Sequence, residues 1–77
     1  LVNEYPGRLT LVHIDFYRLK DLESAIALGL GEQIGRPGTV TAIEWAELLP
    51  ELLPKQHLTV RLTRVSEKGR RIVVSGV

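Results

Sequence analysis

Seventy-seven residues allow a single domain, and a chain of this size buries only roughly 60% of the surface its unfolded form exposes. At 44% hydrophobic and 25% charged residues the composition excludes a disordered chain. The lack of cysteine excludes a disulfide framework or a thiolate metal site and fits a reducing cytosol. No apolar run approaches the ~18 residues of a membrane-spanning helix, and no signal-peptide pattern is present. The net charge of +1 conceals an asymmetry: residues 1–53 carry eight acids against four bases, and residues 54–77 carry six bases against Glu67 alone. Such a basic tail is suited to phosphates, RNA or an acidic partner, or simply to solubility.

In chain order, residues 1–5 predict a short strand, broken by the turn pair Pro6-Gly7. Arg8 to Asp15 predicts a second strand, antiparallel to the first. Leu9, Leu11, His13 and Asp15 share one face and Thr10, Val12, Ile14 and Phe16 the other. Both faces are largely apolar, the mark of a central strand. Asp21 is placed to N-cap a helix reaching about Leu28, with Leu22 and Ile26 one turn apart on its inner face. Leu30 to Ile34 predicts another short helical turn, and Arg36-Pro37-Gly38 closes the segment. A third strand follows from Thr39 to Trp45, and Pro50 and Pro54 then divide a leucine-rich piece into short turns. His57–Val65 and Arg70–Ser75 predict a β-hairpin, with Gly69 supplying backbone freedom at its turn.

About 23 residues, including a helix, separate the second and third strands, which is the length and content of a parallel crossover. Each of these strands is an apolar run that ends in an acid, Asp15 in one and Glu44 in the other. A carboxylate at the end of a buried strand is costly unless a metal or basic partner uses it. If the strands are parallel, both acids reach the carboxyl edge of the sheet, where ligands of open α/β sheets bind. An apolar strand ending in Asp or Glu is also the sequence form of a Walker B element, whose carboxylate serves Mg²⁺ or the attacking water in phosphoryl transfer, although strands often end in an acid that merely caps the next turn.

Competing constellations fare worse. His13 and Asp15 face the same way, but a histidine in such a place is more often packed and hydrogen-bonded than ligating, and His57 is remote. A restriction-type nuclease needs a lysine two residues after Glu44, where Ala46 stands. Ser24, Ser66 and Ser75 have no nucleophile-elbow context. Trp45 fits either stacking on a base or partner, or packing in the core or rim. Arg18 fits either a phosphate contact or a surface ion pair.

At LVNEY (1–5), HIDFYRL (13–19), ALGLGEQI (27–34), IEWAE (43–47) and LLP (52–54) the chain resembles the TsaE family, bacterial ATPases required for threonylcarbamoyladenosine formation in tRNA. The resemblance covers essentially all 77 residues. HxDxYRL followed by IEWxE is far more specific than either half. It implies an α/β, P-loop NTPase-like partial domain over residues 1–77, a mixed sheet with a crossover helix and a C-terminal β-hairpin. The family's G-x-x-x-x-G-K-[ST] loop does not occur here, and the sequence contains no Met. The chain therefore reads as the C-terminal part of a longer protein, inactive alone.

By the same resemblance, Glu44 corresponds to the Walker-B-like magnesium residue and Asp15 to the acid near the metal and γ-phosphate. Trp45 corresponds to the tryptophan after that glutamate, and Arg70 to a basic residue near the nucleotide. The expected cofactors are Mg²⁺ and ATP. The expected partners are the TsaB and TsaD proteins, with tRNA met indirectly through their complex, in the cytoplasm and away from membranes. The alternative is a small non-catalytic module whose basic hairpin contacts RNA or a protein.

Overall fold

A computed structural model describes residues 2–76. β1 (Val2–Tyr5), β2 (Thr10–Asp15) and β3 (Thr39–Glu44) form a three-stranded sheet in the order β1-β2-β3. β1 pairs antiparallel with β2, from Val2 opposite Ile14 to Tyr5 opposite Leu11. β2 and β3 run parallel, from Thr10 opposite Thr39 to Asp15 opposite Glu44. The long crossover between them holds α1 (Leu22–Ala27) and α2 (Leu30–Gln33). Two 3₁₀ turns, Ala46–Leu48 and Pro50–Leu52, lead to a separate antiparallel hairpin of β4 (Leu58–Arg64) and β5 (Arg70–Gly76).

β2 occupies the centre, as its two apolar faces predict, yet only one face is buried. Val12, Ile14 and Phe16 are fully enclosed together with Ala25, Leu30 and Leu49, and Leu22, Ile34, Ile43 and Leu52 pack around them. The core residues outside the sheet come from the crossover and the 3₁₀ segment, so only this face is covered. Leu9, Leu11 and Val40 on the opposite face remain exposed.

Two local expectations change. Asp21 does cap α1, its Oδ1 accepting from the Ser24 backbone N–H at 2.8 Å. The helix, however, buries Ala25 and leaves Ile26 exposed, although both lie one turn from Leu22. At the hairpin turn, Gly69 does not adopt a positive φ. A Cβ there would lie 2.7 Å from Ser66 Oγ and 3.2 Å from Val65 Cγ2, so the residue serves a close approach and not a left-handed backbone.

Candidate functional site at the carboxyl edge of the sheet

The parallel register carries Asp15 and Glu44 to the same rung, at the carboxyl ends of β2 and β3. The Phe16 backbone N–H donates to the Glu44 carbonyl at 3.0 Å, extending the ladder one step past both acids. Phe16 is then buried, which anchors the chain directly beyond Asp15. The strand ends are thus fixed by ladder and core, and the acid side chains project from a braced edge.

Each carboxylate is held through one oxygen. The Tyr17 backbone N–H donates to Asp15 Oδ1 at 2.9 Å, closing a turn at the end of β2. His13 Nε2 lies 2.7 Å from Glu44 Oε2. An ionised carboxylate only accepts, so this imidazole nitrogen carries the hydrogen. His13 is opposite Ala42, and Glu44 therefore lies on its diagonal, two residues further along the same face of β3. The sequence supplied the parts of this contact but not the pairing, which requires the exact register.

Trp45 ends β3 by turning into the left-handed region at φ 58° and ψ 35°, one residue before the sequence predicts the strand to stop. It is the one non-glycine residue with positive φ among the described residues, a conformation that stores strain of order 1–3 kcal/mol. The turn brings the indole against Tyr17, with ring centroids 5.0 Å apart and planes inclined at 43°. The half-exposed pair stands beside the two acids. Tyr17 is a neighbour of these acids to which the residue-by-residue reading gave no role, although it is the tyrosine of the HxDxYRL motif.

Other candidates lie apart. Arg70 donates through Nη1 to the carbonyls of Ser66 at 3.2 Å and Gly69 at 3.0 Å, so its guanidinium is engaged by the hairpin's own turn. His57 bonds through Nδ1 to the Pro54 carbonyl at 2.7 Å, away from His13. Arg18 forms no ion pair among the described residues and lines a surface hollow with Asp15, Lys20 and Ser24.

Among the described residues no three His, Cys, Asp or Glu side chains converge closely enough to cage a metal. Mg²⁺ keeps several waters and takes one or two carboxylates plus substrate phosphates. Asp15 and Glu44, at adjacent strand ends, are the residues that could hold such an ion.

The fold and this edge define an α/β chain with a mixed sheet, a helical crossover and a C-terminal hairpin, carrying paired acids where parallel strands end. Residues 1–72 match the model of the family described as Threonylcarbamoyl adenosine biosynthesis protein TsaE. The chain belongs to this family. Proteins named tRNA threonylcarbamoyladenosine biosynthesis protein TsaE are similar to it in several bacteria. The Treponema pallidum protein is 39% identical over 75 residues, covering 97% of this chain and 55% of that protein. The Mycobacterium tuberculosis protein is 42% identical over 71 residues, covering 87% and 42% respectively. A crystal structure of Bacillus subtilis YdiB superposes with a TM-score of 0.78 at 34% identity, covering 99% of this chain and 46% of that one. The chain thus spans about half the length of the relatives it matches.

Proposed function

We propose that this chain supplies the acid half of a magnesium-dependent ATP site in a protein serving tRNA threonylcarbamoyladenosine formation. The observation that carries the reading is the shared rung of Asp15 and Glu44 at the carboxyl ends of parallel strands. Family membership supports the pathway.

In this reading Glu44 and Asp15 hold Mg²⁺ directly or through water. Bound there, the ion would supply charge neutralisation to the nucleotide's phosphates. Asp15, fixed by the Tyr17 N–H, also orients the attacking water. Trp45 and Arg70 contact the nucleotide, and Arg70 must give up its two turn carbonyls to do so. The backbone cradle for the phosphates is not among residues 1–77 and comes from elsewhere in the complete protein, so the fragment alone hydrolyses ATP poorly or not at all. The partners proposed are the TsaB and TsaD proteins, with tRNA engaged through that assembly, in the cytoplasm.

A second reading draws on the hairpin, whose strands are exposed throughout and carry Arg61, Arg64, Arg70 and Arg71. There the basic strands contact RNA or a protein without catalysis.

Calorimetric titration of the complete protein with ATP, with and without Mg²⁺, tests the first reading. Binding should tighten several-fold with the metal. Equal affinities in both buffers would count against a magnesium site and shift weight to the hairpin.

A further inference from the structure

We propose that His13 is a positioning residue for Glu44, holding one carboxylate oxygen so that the other is presented to the metal. The inference rests on the magnesium reading above and deepens it. Both acids share a pattern: Asp15 is tied through Oδ1 by the Tyr17 N–H, and Glu44 through Oε2 by His13 Nε2. Neither Asp15 Oδ2 nor Glu44 Oε1 accepts a hydrogen bond among the described residues. The sheet edge therefore offers two carboxylates, each with one oxygen anchored and one available.

The anchors differ in kind. Asp15 has a short side chain and needs only a backbone amide. Glu44 has a longer, more mobile side chain and projects at 62% exposure, whereas the His13 ring lies closer to the sheet at 31%. The 2.7 Å contact is at the short end for N–H donation to a charged acceptor and restrains the carboxylate. Mg²⁺ demands near-octahedral geometry and tolerates loose ligands poorly. Hydrogen-bond partners behind a ligating group are worth roughly 10–100-fold in metal affinity or activity.

The same geometry argues against His13 as a ligand. Its Nε2 is committed as a donor to Glu44 and has no lone pair to offer. Its contribution therefore passes through the carboxylate.

The test is electron paramagnetic resonance of Mn²⁺ bound with ADP to the complete protein. His13→Ala should weaken Mn²⁺ binding roughly 10–100-fold while leaving the metal-free affinity for ADP unchanged. His13→Gln, which keeps an N–H donor at similar reach, should recover most of the loss. With ¹⁵N-histidine incorporated, electron spin echo spectra of the wild type should show no coupling from a directly bound ring nitrogen. Should the alanine variant fail to fold, the glutamine variant and the echo spectrum still decide. An alanine variant with wild-type Mn²⁺ affinity, a glutamine variant no better than alanine, or a strong ¹⁵N coupling lost in His13→Gln would each overturn the positioning role. Wild-type protein that takes up no Mn²⁺ with ADP, or uptake indifferent to Glu44→Ala, would instead overturn the acid-pair reading on which it rests.

Discussion

Tyr17 and Trp45 meet at the end of the sheet although 27 residues separate them, because parallel pairing sets Asp15 beside Glu44 and each aromatic lies just beyond its acid. The contact gives the left-handed turn at Trp45 something to rest on. Double-mutant cycles with Tyr17→Ala and Trp45→Ala should give a coupling near the lower end of the roughly 0.5–1.5 kcal/mol expected for tilted aromatic pairs, since both rings are half exposed. Thermal unfolding of the four proteins measures it. Strict additivity would mean that the rings do not meet in solution.

Trp45→Gly separates the two effects at that position. It relieves the positive φ but removes the ring, so it should be less destabilising than Trp45→Ala, which loses the ring and keeps the strain. An alanine variant as stable as the glycine variant would show that the left-handed turn is not held.

Asp21 gives a pH signature. The Ser24 backbone N–H, and then its hydroxyl, hold this exposed carboxyl below its ordinary value of 3.8. A carboxyl depressed in the folded state stabilises the fold above its unfolded value and loses that contribution as pH falls through the folded one. Asp21→Ala should therefore lower the melting temperature at neutral pH, and the gap from wild type should close as pH falls below about 3.8. A gap constant with pH would show that the cap acts without its charge.

Much of this was legible. Two apolar runs ending in acids, with a helical crossover between, predict a parallel pair and hence the meeting of Asp15 and Glu44 at one edge. The family motif pointed to the same residues. What escaped depended on exact angles and registers. Ile26 and Ala25 both lie one turn from Leu22 in reach of the core, and only packing decides that Ala25 goes in. The His13 contact spans 31 residues and would vanish with a one-residue slip. Gly69 looked like a conformational glycine, whereas the need is room beside Ser66 and Val65.

Gly76 is the hairpin glycine that does need its backbone. Its φ is 126°, and a Cβ would collide with the His57 carbonyl oxygen. Gly76→Ala should destabilise the protein by more than the ~1–3 kcal/mol of an unfavourable φ alone, and by more than Gly69→Ala, where the Ser66 hydroxyl can turn aside. Equal effects in denaturant unfolding would contradict the comparison.

Arg70 distinguishes the two functional readings. Where it reaches the nucleotide, Arg70→Ala weakens ATP binding by roughly 1–3 kcal/mol, as for a lost charged hydrogen bond. Lys68→Ala and Arg71→Ala then do much less. Where the hairpin instead contacts RNA, all three changes weaken tRNA binding alike and by amounts that fall with salt. Titrating ATP and tRNA at two salt concentrations reads both patterns, and unchanged ATP affinity in Arg70→Ala would remove that residue from the site.

The most direct measurement is Mg²⁺-dependent ATP turnover by the complete protein beside its Asp15→Ala and Glu44→Ala variants. Each variant should lose turnover by orders of magnitude. Stability of Glu44→Ala should change little, within about 0.5 kcal/mol for so exposed a side chain. Wild-type turnover in both variants would contradict a metal site built on Asp15 and Glu44.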